Sequence, residues 1–409
     1  MVSNASLLRW IACSLLGGSL LLAGQGPEAL LSKLKRQTLQ LQHEKNRADS
    51  TQLKWSWINP VTVGYYDSRN TQFDRTQISK EFSIRVDQPI FKSGGILYAV
   101  KYAAATRRVG DLAIEAQERK LIKEVVATLF DFRINRYRIA KQKLLIENDR
   151  IDIERKKEAY LSGDLDSGFL DQAILKKNRD TLQLYTLQDT RAQLHRTFKN
   201  LSDADAETVT LPHFTIMEKA HFLRNDIDLL QLRHRVEQKR DFKTMTLSRY
   251  LPTLSLQASY VKPYENSYYF TGGRYPGLGD DYYTYGFRVT MPIDIKAWPT
   301  FESARVDHLV AEVQLLDKRR EADNTYDAAM KRLKVLDRMI ALSKEDEKLY
   351  DSLVTSTKEQ MEAGEKTAYD LKTMKNSKKI RQIDRKIFQL QKQLVLLDLY
   401  EKSYTKGEK

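Results

Sequence analysis

The sequence is written twice, and that duplication constrains the fold more than any other feature. Asn59 to Val63 (NPVTV) returns as Leu251 to Ser255 (LPTLS). Phe82 to Ile90 (FSIRVDQPI) returns as Tyr285 to Ile293 (YGFRVTMPI), and Arg108 to Gln117 (RVGDLAIEAQ) as Arg305 to Gln314 (RVDHLVAEVQ). The pair Ser162-Gly163 returns as Ala363-Gly364. The offsets are 192, 203, 197 and 201 residues in unchanged order, which marks a repeat of about 200 residues with small insertions. The repeat reproduces strand-like segments and prolines as well as helical ones, so a whole supersecondary unit is duplicated.

Each copy opens with two predicted strands. In the second, Ile78, Phe82, Ile84, Val86 and Ile90 take even positions, while Ser79, Glu81, Ser83, Arg85 and Asp87 take odd ones. Period-two alternation puts one face in an apolar medium and the other in water. The fourth repeats it with Tyr283, Tyr285, Phe287, Val289, Met291 and Ile293 against Thr284, Gly286, Arg288 and Thr290. The third sets Leu254, Leu256, Ala258 and Tyr260 against Thr253, Ser255, Gln257 and Ser259. The first is read with Trp55, Trp57, Val61, Val63 and Tyr65 on one side. Runs of about ten residues with aromatics at their ends are the pattern of tilted strands in a membrane β-barrel. Asp67 to Arg75 and Lys262 to Asp281 read as the exposed loops between them. Four strands cannot close such a barrel, so several protomers must pool theirs. Three copies give twelve strands, and counting alone leaves two or four copies open.

After each strand pair the chain turns helical. Only 9 prolines and 17 glycines occur in 409 residues, which leaves room for long uninterrupted elements. Ser93 to Leu161 has no proline and only Gly94, Gly95 and Gly110. Ile122, Val125, Leu129 and Phe132 step by a coiled-coil spacing within it. Gly163 then marks a turn. The return is split into Phe169 to Leu201 and Met217 to Arg249, around a polar interruption that contains Pro212. In the second copy Phe301 to Met361 goes out, Gly364 marks the turn, and Thr367 to Tyr404 returns part of the way. Pro27 to Leu53 is expected to supply the missing upper part of that return.

The N-terminus reads as a secretory signal, with Arg9 before an apolar run from Ile11 to Ala23, the alternative being an uncleaved membrane anchor. Cys13 is the only cysteine, so no intrachain disulfide and no cysteine zinc site can form. The formal charge is +14, but Lys and Arg alternate with Glu and Asp along the helices, and no aromatic-basic nucleic-acid motif occurs. The six histidines, His43, His195, His213, His221, His234 and His308, are scattered and form no metal or triad spacing. Phosphate-loop, dinucleotide and nucleophile-elbow fingerprints are missing, so the chain is read as a non-enzyme without cofactors.

The segment from Ala220 (AHFLRNDIDLL) into RYLPTLSLQASY, ending at Tyr260, resembles the helix-to-strand segment of the TolC-type outer-membrane factor family. Gln88-Pro89-Ile90-Phe91 with Gly94-Gly95 resembles that family's strand-to-helix junction, and Ala363 to Asp370 (AGEKTAYD) its inter-helix tip. Pro292 sits at the second junction, where Met291-Pro292-Ile293-Asp294 departs from the family pattern. The resemblance covers the whole mature chain and implies a trimer in which a twelve-stranded membrane β-barrel continues into a long α-helical coiled-coil barrel. It divides the chain into a signal peptide (1–24), an N-terminal helix (25–54), strands one and two (55–91), first-repeat helices (92–249) with an equatorial segment (201–216), strands three and four (250–295), second-repeat helices (296–404) and a tail (405–409). It implies the outer membrane of a Gram-negative cell, with the helices in the periplasm.

The family's members are passive exit ducts of tripartite efflux pumps and type I secretion systems. The implied partners are two further copies, outer-membrane lipid, a periplasmic adaptor and an inner-membrane transporter, with no nucleic acid. Gly163, Asp164, Leu165, Gly364, Glu365 and Lys366 are the expected adaptor-contact tips. Asp370 matches a position of the family's acidic gate. Thr373 stands where a second acid can occur, and Asp164, Asp166 and Asp171 near the first tip are candidate substitutes. An alternative for Asp370 is that it starts the returning helix, where a carboxylate favours the positive dipole end. The alternative for the whole chain is a periplasmic coiled-coil scaffold or tether without a pore. The transported substrate is not legible.

Overall fold

The computed structural model describes residues 27–72, 75–266 and 280–404. The segments read as signal peptide and tail lie outside the described residues, as does most of the loop expected over 262–281. The described chain forms two stacked layers: a four-stranded antiparallel sheet and a sheaf of long helices.

A 3₁₀ turn (Pro27–Leu30) leads into α1 (Lys33–Trp55), then β1 (Thr62–Gln72), β2 (Arg75–Phe91), α2 (Gly95–Leu161) and α3 (Ser167–Leu201). The second half runs α4 (Lys219–Asn225), α5 (Ile227–Ser248), β3 (Thr253–Asn266), β4 (Tyr282–Thr290), α6 (Ala297–Glu362) and α7 (Ala368–Lys402). The halves match in measure: α2 and α6 have 67 and 66 residues, and α3 and α7 have 35 each. At ~1.5 Å per residue each outgoing helix spans roughly 100 Å.

Several sequence expectations are corrected, one being the loop start at Lys262, since β3 runs through Asn266. The first strand does not include Trp55 and Trp57, because α1 runs through Trp55 and a turn closes it, with Ile58 N–H bonded to Trp55 O at 3.0 Å. Pro60, which has no N–H to give a ladder, precedes the strand start at Thr62. The stretch from Asp67 to Arg75 is mostly strand and not loop, paired in unbroken register from Thr62↔Arg85 to Gln72↔Arg75. The helix expected from Met217 to Arg249 breaks at Asp226, whose extended backbone (φ −62°, ψ 120°) caps α5.

The helices form four columns. α2 touches α1 and α5 in its sheet-proximal part and α3 and α7 towards the tips, while α6 lines the far side of α5 and α7. The stacking expected for the two returns is exchanged: α5 continues α7 through the Asp226–Ser403 bridge, and α3 is continued by α1, whose leading Ser32 N–H bonds Leu201 O at 2.9 Å. Asn46 of α1 donates to Arg107 O at 3.0 Å and to Asp111 at 2.8 Å, whereas α7 ends beside Arg119, which bonds Ser403 O. Gly110 permits the approach, because a Cβ there would sit 2.2 Å from the Asn46 side-chain oxygen.

The main apolar core sits at the waist. Leu31 before α1, Val125, Val126, Leu129, Phe130 and Phe132 on α2, Phe198 and Leu201 closing α3, Val209 in the following loop and Leu397 of α7 pack together. A second cluster joins Phe222, Leu229, Ala322, Tyr326 and Leu399. Below the waist the α2–α3 seam changes character. Thr128, Asn135, Gln142 and Asp149 recur every seven residues, all buried. Asn135 donates to Leu187 O at 3.1 Å, Gln142 to Asp180 at 3.0 Å, and Asp149 pairs with Lys176. Polar residues at such core positions fix the register of a coiled coil and lower its stability.

Candidate interface edges and helical tips

The sheet runs β1-β2-β3-β4, so β1 and β4 each keep one unpaired edge among the described residues. Residues directly paired across antiparallel strands share a face. Tyr65 pairs with Phe82, Val63 with Ile84, Ile84 with Tyr260, Tyr260 with Tyr283, Ala258 with Tyr285 and Leu256 with Phe287. That face is apolar across its middle, with Asp67, Lys80 and Lys262 on it towards the loops and Gln88 towards the helices, and it lies open: Tyr285 and Phe287 are each 78% exposed. The opposite face carries Thr62, Arg85, Asp87, Gln257, Ser259, Thr284 and Arg288 around an open groove of about 560 Å³. Gln257 donates to Asp87 at 2.9 Å there, and Arg288 lies 3.8 Å from the same carboxylate. The alternation read from the sequence is therefore the real division of the sheet.

The helical layer repeats this openness at its edges. On the α1/α3 edge Leu34, Leu41, Leu175, Leu182 and Tyr185 are exposed. On the α6 edge Val306, Val310, Val313, Val335, Met339, Leu342, Leu349 and Leu353 are exposed at helical spacing. Two different edges, one along α1 and α3 and one along α6, thus leave apolar side chains uncovered. Open strand edges with an apolar face are likewise surfaces that a folded protein pairs or covers.

The two tips are the same device used twice. Gly163 and Gly364 have φ of 82° and 83°, the left-handed region that glycine adopts without strain. Gly163 N–H bonds Tyr160 O at 3.1 Å and Asp164 N–H bonds Ala159 O at 2.9 Å. Gly364 and Glu365 bond Met361 O and Gln360 O at 3.1 and 2.9 Å. Both are Schellman closures that satisfy the last carbonyls of the outgoing helix. At the first tip Ser162 Oγ donates to Asp164 at 2.7 Å, and Asp166 caps α3 by accepting Gly168 N–H at 2.8 Å. Asp164 and Asp166 thus shape the turn, while Leu165 is half-buried and Asp171 exposed. Glu365 and Lys366 are exposed at the second tip.

Asp370 starts the returning helix. Its Oδ2 accepts Thr367 N–H at 3.0 Å and Thr367 Oγ1 at 2.8 Å, and Thr367 Oγ1 accepts Asp370 N–H, a complete capping box. Its Oδ1 accepts Arg155 Nη2 of α2 at 2.8 Å. The Thr367 hydrogen bonds, with Arg155 beside them, hold the carboxyl below its usual range. Further ties join α2 to α7 along the same line: Lys372 pairs with Glu147, Asn376 Nδ2 donates to Asn148 at 2.8 Å, and Lys141 pairs with Asp384 at 2.7 Å. The ties were not found in the sequence, because no local signal links residues more than 200 positions apart. Thr373, in place of an acid, bonds Tyr369 O of its own helix at 2.9 Å.

At the first junction Pro89 is buried opposite Ser255 beside a bulge, and Gly94 is left-handed (φ 84°) as it opens α2. Gly95 lies so close to α5 that a Cβ would meet Ser248 Oγ at 2.3 Å. At the second junction no glycine is used. Pro292 follows the end of β4, and Asp294 closes the turn by accepting Ala297 N–H through its carbonyl and Lys296 N–H through its side chain.

A duplicated four-stranded sheet continued by paired long helices is the TolC-type outer-membrane channel fold. Solved structures carry the same arrangement. The outer membrane protein VceC of Vibrio cholerae is similar with a TM-score of 0.73 and 13% identity, over 92% of this chain and 95% of that one. The CmeC outer membrane channel of Campylobacter jejuni gives 0.72 and 15%, over 92% and 84%. The open state of the MtrE outer membrane channel of Neisseria gonorrhoeae gives 0.69 and 14%, over 92% and 86%. No protein-family model matches the sequence, and no curated protein matches it.

Proposed function

We propose that three copies of this chain close into an outer-membrane exit duct of a tripartite efflux or type I secretion system. Twelve pooled strands span the membrane, and the helices form a tunnel across the periplasm. The observation that carries this reading is the match between layers: the sheet and the helical sheaf are open at the same two edges, and the open sheet face is apolar. The likeness to outer membrane channels supports it. Conduction is passive. The sequence holds no nucleotide-binding fingerprint, so energy comes from an inner-membrane transporter joined through a periplasmic adaptor at the two tips.

The native mass of the protein extracted in detergent tests the assembly. Three protomers are expected. With Cys13 replaced, a Leu182→Cys, Leu349→Cys pair across the α3–α6 edges should give an oxidised ladder ending at three. A monomer recovered without detergent would leave a coiled-coil scaffold.

In this duct Asp370 is part of the gate through its tie to Arg155. A half-exposed ion pair contributes only about 0.2–1 kcal/mol, which is weak enough to be released on partner docking. Asp370→Ala should weaken block by divalent or trivalent cations in single-channel recordings, whereas Thr367→Ala, which loses only the cap, should not. Equal effects would reduce Asp370 to a helix cap.

A further inference from the structure

Below the waist one flank of α2 carries a basic residue at every seventh position. Arg136, Lys143, Arg150 and Lys157 are all exposed. The antiparallel neighbour α7 does the same with Lys372, Lys379 and Lys386, again exposed. Seven residues make almost two turns, so each set is a nearly straight ladder with rungs about 10 Å apart. The ties Lys141–Asp384 and Arg155–Asp370 set the level of the two helices. Lys386, Lys379 and Lys372 then come opposite Ile139, Ile146 and Ile153, halfway between the rungs of α2. Glu147 joins the ladders on one face, since it lies 3.7 Å from Arg150 and also pairs with Lys372.

The neighbours of α2 give the direction of that face. Asn135, Gln142 and Asp149 point to α3, whereas Lys141, Asn148 and Arg155 point to α7. At about 100° per residue the two directions are roughly 120° apart one way round the helix and 240° the other. The α2 ladder lies in the wider arc, which is the convex side of a curved wall. α2 and α7 are the two middle columns, between α3 and α6, so the open edges do not use this face.

The fold does not require these cations. The tips set the two copies 201 residues apart here, with Gly163 matching Gly364. At the positions of the α2 ladder the second copy has Asp337, Lys344, Asp351 and Lys358. At those of the α7 ladder the first copy has Asp171, Asn178 and Tyr185. The two α6 acids are used within the sheaf, where Asp337 binds Lys392 at 2.7 Å and Asp351 pairs with Lys378. The cations are not used up in this way. Lys143, Lys157 and Lys379 have no ion pair among the described residues, and Arg150 and Lys372 share one carboxylate. Arg136 is 4.0 Å from Glu207, which Arg191 already holds at 2.6 Å. The acids on the same flank of α2 are Glu147, Glu154 and, in the last turn, Glu158.

We propose that this face binds an acidic α-helix of a periplasmic partner protein, laid along the wall between the waist and the tips. A helix with carboxylates at seven-residue spacing meets every rung, as the flanking positions of a coiled coil do. A disordered polyanion has no such period. Exposed charge pairs are individually weak and screened by salt, so the contact is reversible. Both ladders belong to one chain, so the surface does not depend on three copies closing.

The probe is a synthetic fluorescent helix with Glu at every seventh position, titrated into the full chain in detergent and followed by anisotropy at low salt. Lys143→Glu with Lys379→Glu should weaken binding about tenfold or more, because two rungs turn from attractive to repulsive. Lys344→Glu with Lys348→Glu makes the same change of charge on exposed α6 lysines without ion pairs, and should leave binding within about twofold. Equal weakening by both pairs would reduce the binding to general electrostatics and overturn the proposal. A peptide of the same composition with its glutamates scrambled should bind about tenfold more weakly. Equal affinity for the two peptides would overturn the assignment to a helix. Soluble peptidoglycan fragments that bind the ladder where the helix does not would give the face to the cell-wall polymer instead.

Discussion

Ala258→Arg is expected to remove nearly all membrane-assembled protein, whereas Gln257→Arg, one residue earlier, leaves assembly intact. Ala258 lies between Val86 and Tyr285 on the apolar face. If that face meets lipid, an arginine near the bilayer midplane costs about 2–4 kcal/mol in each protomer. At about 1.4 kcal/mol per tenfold, the assembled fraction falls by roughly 30- to 1,000-fold for each copy. Gln257 is on the other face, bonded to Asp87, where an arginine gains a carboxylate partner. The readout is the yield of heat-resistant oligomer in the outer-membrane fraction. Equal loss in both variants would mean that the two faces do not meet different media, and the barrel would have to be given up.

Phe130→Ala should be the most destabilising single truncation in the helical layer. Phe130 is buried in the waist core, among residues from the turn before α1, from α2, α3 and α7, and from the loop after α3. Deleting a buried phenylalanine ring costs about 3–5 kcal/mol, because the site cannot collapse onto the space left behind. Here the loss falls at the place where five chain segments meet, so it should unfasten α1 and the 202–218 loop as well as lower overall stability. Tyr160→Ala near the first tip, where the side chain is exposed, should change stability by about 0.5 kcal/mol or less. Denaturant unfolding in detergent, followed by far-ultraviolet circular dichroism, compares the two. A Phe130 variant as stable as the Tyr160 variant would show that the waist is not the keystone of the layer.

Much of the architecture was legible because long-period regularities survive without tertiary context. Alternation over Phe82 to Ile90 and Tyr285 to Ile293, two proline-poor outgoing helices and two glycines about 200 residues apart determine element type and order. Boundaries were less legible. Trp55 and Trp57 fit an aromatic strand end as well as the end of a helix, and only the turn before Pro60 decides between them. Polar residues such as Asn70 and Thr71 look like loop, yet they pair in the β1–β2 hairpin because a ladder tolerates them where neither face is packed. The break at Asp226 was missed inside a good helical pattern, although an Asp three residues before Leu229 is a usable cap signal. The polar ladder of Thr128, Asn135, Gln142 and Asp149 has a readable period of seven, but period alone does not tell a buried polar seam from a solvated one. Asp370 was recognised as a helix starter or a gate element, and its partner Arg155 could come only from the folded chain.

The unequal edges of the two layers carry a genetic consequence. If copies join head to tail as proposed, each offering one edge and receiving the other, a subunit with a spoiled β4 edge still binds through β1 and enters growing rings, which it then prevents from closing. Co-expressed with the intact gene at equal level, such an allele should be dominant: if rings hold three copies drawn at random, roughly one in eight contains only sound ones. An allele that fails to fold at all would be recessive, so the inheritance pattern of an edge mutation reads out head-to-tail assembly in living cells.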